Sequence, residues 1–139
     1  MRILHMDDHA GWRALVQEYL SDHDVTSVGT AIEGLQLVEA IRPDLVIVDS
    51  EMPGMSGVQA IATLVARGYP PRHILMLSAA LSADTQAQAT ALGAAFLGKE
   101  EAAQLPTVVA TLREGVAGQA IPVEPSGPYR SKPRRGRRV

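Results

Sequence analysis

The chain has 139 residues, 46% hydrophobic and 20% charged, which fits one soluble domain with a core of ordinary size. It contains no cysteine, so disulfides, thiolate metal sites and thiol catalysis are excluded and a reducing, cytoplasmic location is favoured. No apolar segment approaches the ~18 residues of a membrane span, and the amino terminus is unlike a signal peptide. We therefore expect a cytoplasmic protein without membrane insertion.

Charge is distributed unevenly along the chain. Residues 129–139 hold six of the 13 basic residues and none of the 15 acidic ones. The net charge of -2 therefore divides into -8 for residues 1–128 and +6 for the remainder. An acidic globule with a basic arm is typical of proteins that bind an anionic partner. We expect a folded domain over residues 1–118 and a Pro/Arg-rich basic tail over residues 119–139.

Short apolar runs alternate with longer segments of helical periodicity along the first part of the chain. The runs predict strands at residues 3–6, 25–28, 45–48, 74–77 and 95–97. The periodic segments predict helices at residues 9–20, 32–41, 57–67, 83–92 and 106–116. Thr30 with Glu33, and Ser82, predict the starts of the second and fourth helices, whereas Pro43 and Gly68 predict the ends of the second and third.

The regular alternation of strand and helix predicts the fold class. Uniformly apolar strands indicate a sheet that is covered on both faces. Parallel strands joined by right-handed helical crossovers satisfy this requirement, so we expect an α/β fold with a five-stranded, doubly wound parallel sheet. In such sheets ligands bind beyond the carboxyl ends of the strands.

Polar side chains follow four of the predicted strands where each strand ends. Asp7 and Asp8 follow the first strand, Asp49 the third, Ser78 the fourth and Lys99 the fifth. Three neighbouring carboxylates favour a divalent cation, and ligation by oxygen alone favours Mg²⁺. Asp49, at the end of the central strand, could then attack a phosphoryl donor while Lys99 and Ser78 stabilise the transferring oxygens.

Four segments together resemble the receiver domain of two-component response regulators. They are Met6-Asp-Asp-His-Ala-Gly-Trp-Arg13 and the segments at residues 44–57, 75–79 and 93–99. The resemblance extends over about residues 1–118 and implies a flavodoxin-like receiver fold. It also implies phosphoryl transfer from a histidine kinase or phosphotransfer protein, and an output by docking rather than by enzymatic turnover.

The same resemblance assigns roles to individual residues. It implies that Asp49 is the phosphoacceptor, that Asp8 is a direct Mg²⁺ ligand, that Asp7 is a ligand through water, and that Glu51 contributes its backbone carbonyl. Ser78 would bond the phosphoryl group and Lys99 would pair with it. Phe96 would be the aromatic switch, but it lacks the hydroxyl of the tyrosine that is frequent there.

Other chemistries fit the sequence less well. A phosphatase of the haloacid-dehalogenase type also uses an aspartyl phosphate, but it needs a second aspartate where Glu51 stands. The four histidines, His5, His9, His23 and His73, have no paired spacing, which favours surface or capping positions over metal ligation.

The tail offers a second binding chemistry. Its guanidinium groups can pair with phosphates or with the guanine edge, and its tyrosine can stack on a base. The segment at residues 127–138 resembles the arginine-rich tail of stand-alone CheY-like receivers that bind cyclic di-GMP and act on the flagellar motor switch. This implies nucleotide contacts from Tyr129, Arg130, Lys132, Arg134, Arg135, Arg137 and Arg138. A solvated arm that leaves the receiver to act by protein docking alone, and a tail that binds nucleic acid, remain alternatives.

Overall fold

A computed structural model describes residues 1–79 and 82–116 of the chain. Its strands are β1 Arg2–Met6, β2 Asp24–Val28, β3 Leu45–Val48, β4 Ile74–Ser78 and β5 Ala95–Gly98. Its helices are α1 Ala10–Tyr19, α2 Ala31–Ile41, α3 Gly57–Ala66, α4 Ala83–Ala91 and α5 Leu105–Val116. Short 3-10 helices cover Pro71–His73 and Lys99–Gln104. The predicted elements are confirmed, and their ends differ from the predicted ones by at most one residue.

All five strands are parallel and lie in the order β2-β1-β3-β4-β5. The chain moves from β1 to one side and then returns to place β3 on the other side, so strand order reverses between β1 and β3. β3 is the central strand, as predicted. The carboxyl ends of β1 and β3 therefore border the position where ligands bind in open sheets of this kind.

Each face of the sheet carries its own core. On one face Leu4, Met6 and Val48 pack with residues of α2 and α3. On the other face Ile3 and Ile47 pack with residues of α1 and α5. Successive strand residues thus point to opposite layers, which explains why the central strand β3 is apolar throughout, whereas the edge strand β2 is partly polar.

The helix ends follow local sequence signals. Thr30 Oγ1 accepts a hydrogen bond from the Glu33 N–H, and Ser82 Oγ accepts one from the Thr85 N–H, as the predicted caps require. α2 ends at Ile41, two residues before Pro43, because Arg42 adopts a left-handed conformation with φ of 52°. Gly68, with φ of 93°, follows α3 as predicted. Within the described residues, no helix has both the length and the apolar character needed to cross a bilayer.

Candidate functional site

The register of β1 and β3 brings two aspartates to the same height at the end of the sheet. Met6 pairs with Val48, and the Asp49 N–H continues the ladder by donating to the Met6 carbonyl, with an N···O distance of 2.9 Å. The Asp7 N–H donates in the same way to the Val28 carbonyl at 3.0 Å. Both aspartates are thus held by backbone hydrogen bonds at the carboxyl edge of the sheet.

Three carboxylates converge at this edge. One oxygen each of Asp7, Asp8 and Asp49 lies within 4.8 Å of the other two. Asp7 and Asp49 are buried, whereas Asp8 is exposed to solvent. The predicted convergence of the three acids is therefore confirmed.

Lys99 joins the acids from the last strand. It follows β5, and its Nζ lies 2.8 Å from Asp7 Oδ2 and 3.1 Å from Asp49 Oδ1. The ammonium also lies 4.8 Å from the centroid of the Trp12 ring, at the distance of a cation–π contact. Residues predicted from the first, third and fifth strands thus form one charged cluster.

The surroundings of Asp49 act on its pKa in opposite directions. Burial, followed by the nearby charge of Asp7, raises the pKa of Asp49 above its ordinary value. Lys99 acts in the other direction, because its positive charge favours the ionised carboxylate. The ammonium therefore helps to keep a buried carboxylate anionic, which is the form able to act as a nucleophile.

A cavity of about 450 Å³ opens beside the cluster. Its lining includes the three aspartates and Lys99, together with His9, Trp12, Ser50, Glu51, Met52, Pro53 and Ala79. The space therefore adjoins both the carboxylate that could be modified and the charges that could neutralise an incoming anion.

The donor set fits a hard divalent cation. All three converging side chains offer oxygen, which suits Mg²⁺ better than Zn²⁺. Asp7 Oδ1 accepts a hydrogen bond from the His9 N–H, whereas Asp7 Oδ2 is buried and, apart from its ion pair with Lys99, accepts no hydrogen bond within the described part of the chain. Lys99 already pairs with this oxygen, and its second lone pair is available to a cation or to water bound by that cation.

Ser78, the predicted phosphoryl-binding hydroxyl, is placed differently from the acids. It ends β4 and is fully buried, with its Oγ 2.5 Å from Ser50 Oγ. Among the described residues, Ser50 and Ala79 line the cavity but Ser78 does not. Ser50 was not singled out from the sequence, although its place directly after Asp49 is a signal that could have identified it.

Phe96 lies within β5, and Glu51 follows β3 two residues after Asp49, as expected from the predicted strands. Phe96 pairs with Met76 in the sheet, is half-buried and packs against the core beneath α2 and α3. Glu51 lines the cavity while its side chain remains exposed.

Two further residues hold the backbone next to the acids. Arg13 was not singled out from the sequence, whereas Gly57 was expected only to form a tight turn beside the site. Arg13 Nη1 donates to the Asp7 backbone carbonyl at 2.8 Å. Gly57 begins α3 so close to the site that a Cβ there would lie 2.2 Å from the Asp49 carbonyl oxygen. Its N–H donates to the Ser50 carbonyl at 2.9 Å, so α3 holds the segment directly after Asp49.

The prediction that the histidines occupy surface or capping positions is wrong for His5. This residue lies within β1 and is fully buried, with Nε2 4.0 Å from Asp7 Oδ2 and Nδ1 3.5 Å from Ser27 Oγ. Burial, the dominant effect, lowers the pKa of His5 to about 4, so the ring is neutral at pH 7. His9 precedes α1 at the capping position, but its side chain makes no capping hydrogen bond. The position of His5 inside an apolar strand was the signal for its burial.

The candidate nucleotide contacts of the tail lie outside the described residues. These are Tyr129, Arg130, Lys132, Arg134, Arg135, Arg137 and Arg138.

Comparison with known proteins identifies the family. The sequence profile described as the response regulator receiver domain matches residues 3–110. The chain therefore belongs to the response regulator receiver domain family, as the sequence motifs implied.

Two curated relatives are longer than this chain. It is 41% identical over 98 residues to a protein-glutamate methylesterase/protein-glutamine glutaminase from Nocardioides sp., a match covering 68% of this chain and 26% of that protein. A protein of the same description from Methanococcus maripaludis is 35% identical over 96 residues, covering 66% and 26% of the respective chains. The matched part thus spans about a quarter of these relatives.

Solved structures agree with the fold. The signal receiver domain assigned to a Luxo repressor protein from Vibrio parahaemolyticus superposes with a TM-score of 0.77 at 28% identity, covering 84% of this chain and 92% of that one. The Vibrio cholerae chemotaxis protein CheY4 gives 0.68 at 28% identity, covering 78% and 96%. The chain is a phosphoacceptor receiver domain of a two-component system, and the Mg²⁺-binding acidic pocket of such domains corresponds here to Asp7, Asp8 and Asp49.

Proposed function

We propose that this chain is a response regulator in which Asp49 accepts a phosphoryl group and thereby controls docking to a protein partner. The arrangement of Lys99 between Asp7 and Asp49, beside an open cavity, carries the proposal. It supplies an acceptor, a neutralising cation and space for the transferred group. The phosphodonor is a histidine kinase or a phosphotransfer protein, and the chain acts by docking rather than by enzymatic turnover.

The chemistry is an exchange of one bond to phosphorus for another. A carboxylate oxygen of Asp49 attacks the phosphorus atom, and an acyl phosphate bond forms as the bond from phosphorus to the donor nitrogen breaks. The electron pair of the broken bond leaves with the donor imidazole. Lys99, already 3.1 Å from Asp49 Oδ1, pairs with the negative charge that then resides on the phosphoryl oxygens.

The three acids have different surroundings, and we assign them different roles in binding Mg²⁺. Exposed Asp8 would bind Mg²⁺ directly, whereas Asp7, already engaged by the His9 N–H and by Lys99, would act through water. Asp49 and the backbone carbonyl of Glu51 complete the proposed protein ligands. When bound, Mg²⁺ supplies further neutralisation of the phosphoryl charge.

The signal then passes from the site to the surface. Phosphorylation adds about 1.5 to 2 negative charges at neutral pH. Ser78 donates a hydrogen bond to the new group, and Phe96, now half-buried, turns inward as Ser78 moves. Because Phe96 has no hydroxyl, its inward position is stabilised by packing alone. The affected face is the one formed by β4 and α5; because every residue of β4 is buried, the exposed side of α5 supplies the proposed docking surface.

Phosphorylation by a small donor tests this assignment. We expect acetyl phosphate to label the protein in the presence of Mg²⁺ and to lose most of that labelling when EDTA is added. A matched pair of variants, Asp8→Asn at the site and Asp22→Asn on an exposed turn, separates metal binding from general charge effects. Labelling that is unaffected by EDTA, or equal reductions in both variants, would count against the proposed metal-assisted transfer.

We propose in addition that the basic tail binds cyclic di-GMP and that the bound tail controls docking to a partner such as the flagellar motor switch. Support comes from the sequence: five arginines, one lysine and one tyrosine stand within residues 129–139, opposite in charge to residues 1–128. Arginine forks pair with phosphates and with the O6 and N7 atoms of guanine. A cyclic dinucleotide carries both groups and could cross-link several arginines at once.

Calorimetry on the full chain tests the tail. We expect cyclic di-GMP to bind the parent and a control variant, Arg42→Ala, which changes an exposed arginine of the folded domain. We expect no binding to a chain that ends at Gly127. Binding that survives the truncation would place the nucleotide on the folded domain. Equal binding of duplex DNA, independent of sequence and strongly weakened by salt, would instead indicate a nucleic-acid-binding tail.

A further inference from the structure

Two buried hydroxyl groups meet beside the acceptor. Ser50 Oγ and Ser78 Oγ are 2.5 Å apart, and the two residues are 6% and 0% exposed. The contact follows from the sheet, because the pairing of Val48 with Met76 places Ser50 opposite Ser78 two residues later. A short hydrogen bond between two buried hydroxyls therefore links the segment after Asp49 to the end of β4.

The two serines differ in whether they line the cavity. Ser50 contributes to its lining, and its backbone carbonyl is fixed by the Gly57 N–H at 2.9 Å. Ser78 is not part of the lining within the described residues. To donate to a phosphoryl group on Asp49, the Ser78 hydroxyl must move toward the cavity.

We propose that Ser50 is a positioning residue that holds the Ser78 hydroxyl in its resting place and so opposes the phosphorylated state. The inference rests on the function proposed above. A serine hydroxyl has one proton to donate, so when Ser78 donates to Ser50 it cannot also donate to a phosphoryl oxygen. With Ser78 as the donor, the hydrogen bond between the serines has to break or reverse its direction as the phosphoryl contact forms, and its strength sets how readily the domain responds.

Beryllofluoride mimics a phosphoryl group on a carboxylate. Its affinity therefore measures, at equilibrium, how strongly the hydrogen bond from Ser78 to Ser50 competes with a hydrogen bond from Ser78 to the bound group. With Mg²⁺ present, we expect Ser50→Ala to tighten beryllofluoride binding by about threefold to tenfold, the factor for one neutral hydrogen bond. Ser78→Ala removes the donor and weakens binding. Ser50→Thr keeps a hydroxyl and remains close to the parent, and Ser21→Ala, at an exposed turn, serves as the matched control.

The decisive comparison is a double-mutant cycle. Because Ser50 acts through Ser78, we expect Ser50→Ala to have no effect on beryllofluoride affinity in the Ser78→Ala background. Equal or weaker binding by Ser50→Ala would overturn the inference, as would an increase of the same size in both backgrounds. Failure of the parent itself to bind beryllofluoride would overturn the proposed function, and this inference with it.

Discussion

The ammonium of Lys99 lies 2.8 Å from the buried Oδ2 of Asp7, an approach that joins the end of the last strand to the end of the first. The same nitrogen lies 3.1 Å from Asp49 Oδ1. The single positive charge of Lys99 is therefore shared between the two buried acids and offsets their negative charge only in part. A divalent ion entering the cluster has to share these oxygens with the ammonium.

This competition predicts opposite effects of one substitution on metal binding and on phosphorylation. Lys99→Met removes a positive charge next to the acids, so we expect Mg²⁺ to bind about threefold to tenfold more tightly. The phosphoryl oxygens lose their partner, so we expect the rate of phosphorylation to fall by about 10- to 100-fold. Titration followed by Trp12 fluorescence gives the first quantity, and labelling by acetyl phosphate gives the second.

Arg113→Met, at an exposed position of α5, is the control for loss of one basic side chain. It should leave both quantities unchanged. A Lys99→Met variant that binds Mg²⁺ more weakly than the parent would contradict the competition between the two cations.

Metal binding should also stabilise the fold. A ligand that binds only the folded state contributes about 2.7 kcal/mol when its concentration is one hundred times its Kd. We therefore expect Mg²⁺ to raise the melting temperature of the parent, and we expect Asp8→Asn to abolish most of this increase. Glu18→Gln, an exposed acid on α1, should respond to Mg²⁺ as the parent does. An unchanged increase in Asp8→Asn would remove Asp8 from the metal site.

Because α3 approaches the acceptor closely, we expect a methyl group added at Gly57 to lower both stability and phosphorylation strongly. In Gly57→Ala the new Cβ would lie 2.2 Å from the Asp49 carbonyl oxygen and 2.9 Å from Ser50 Cα, so the backbone on either side must shift. We expect a loss of about 1 to 3 kcal/mol of stability, as for other overpacked sites, together with loss of most phosphorylation. Chemical denaturation and labelling measure the two effects.

Gly68→Ala separates instability from damage to the site. Gly68 has φ of 93°, so alanine is strained there, but no atom lies within 4 Å of the added Cβ. We expect this variant to be less stable than the parent yet to accept a phosphoryl group at the parental rate. If Gly57→Ala retained that rate as well, the tight contact would have no functional role.

We expect the protonation of His73 to account for part of the loss of folding stability at acid pH. Burial and the charge of Arg72 lower the pKa of His73 from 6.5 to about 4, and its Nε2 has no hydrogen-bond partner among the described residues. Between these pH values the unfolded chain binds more protons than the folded one, so stability falls as the pH falls from 6.5 toward 4. His5 acts in the same direction, because burial lowers its pKa to about 4 as well.

Denaturation at several pH values tests this. His73→Gln removes one titrating group, so its stability should depend less steeply on pH in this range than that of the parent. The remaining slope reflects His5 and His23, whose pKa values are also lowered, and Asp49, whose raised pKa acts in the opposite direction. Ser21→Ala, at an exposed position without a titrating side chain, should retain the parental slope. A His73→Gln slope equal to that of the parent would show that His73 is protonated equally in the folded and unfolded chain.

The sequence predicted the fold and the charged cluster for the same physical reason. Apolar strands that alternate with helices require a covered parallel sheet, and parallel strands bring their carboxyl ends to one edge. Asp7 and Asp49 were therefore identifiable as neighbours without coordinates. Lys99 could be assigned to the same edge because it follows the last strand.

Contacts that depend on the packing of side chains could not be predicted in this way. The hydrogen bond between Ser50 and Ser78 requires the register of β3 and β4, and the position of Trp12 over Lys99 requires the packing of α1 against the sheet. The Gly57 contact depends on how closely α3 approaches β3. Neither periodicity nor spacing encodes these distances.

The central claim is that Asp49 receives the phosphoryl group, and intact-mass measurement with peptide mapping tests it most directly. After treatment with acetyl phosphate and Mg²⁺, we expect the parent and Asp22→Asn to gain the mass of one phosphoryl group, mapped to the peptide containing Asp49. Asp49→Asn should gain none. The same gain in Asp49→Asn, or its location on another residue in the parent, would contradict the account.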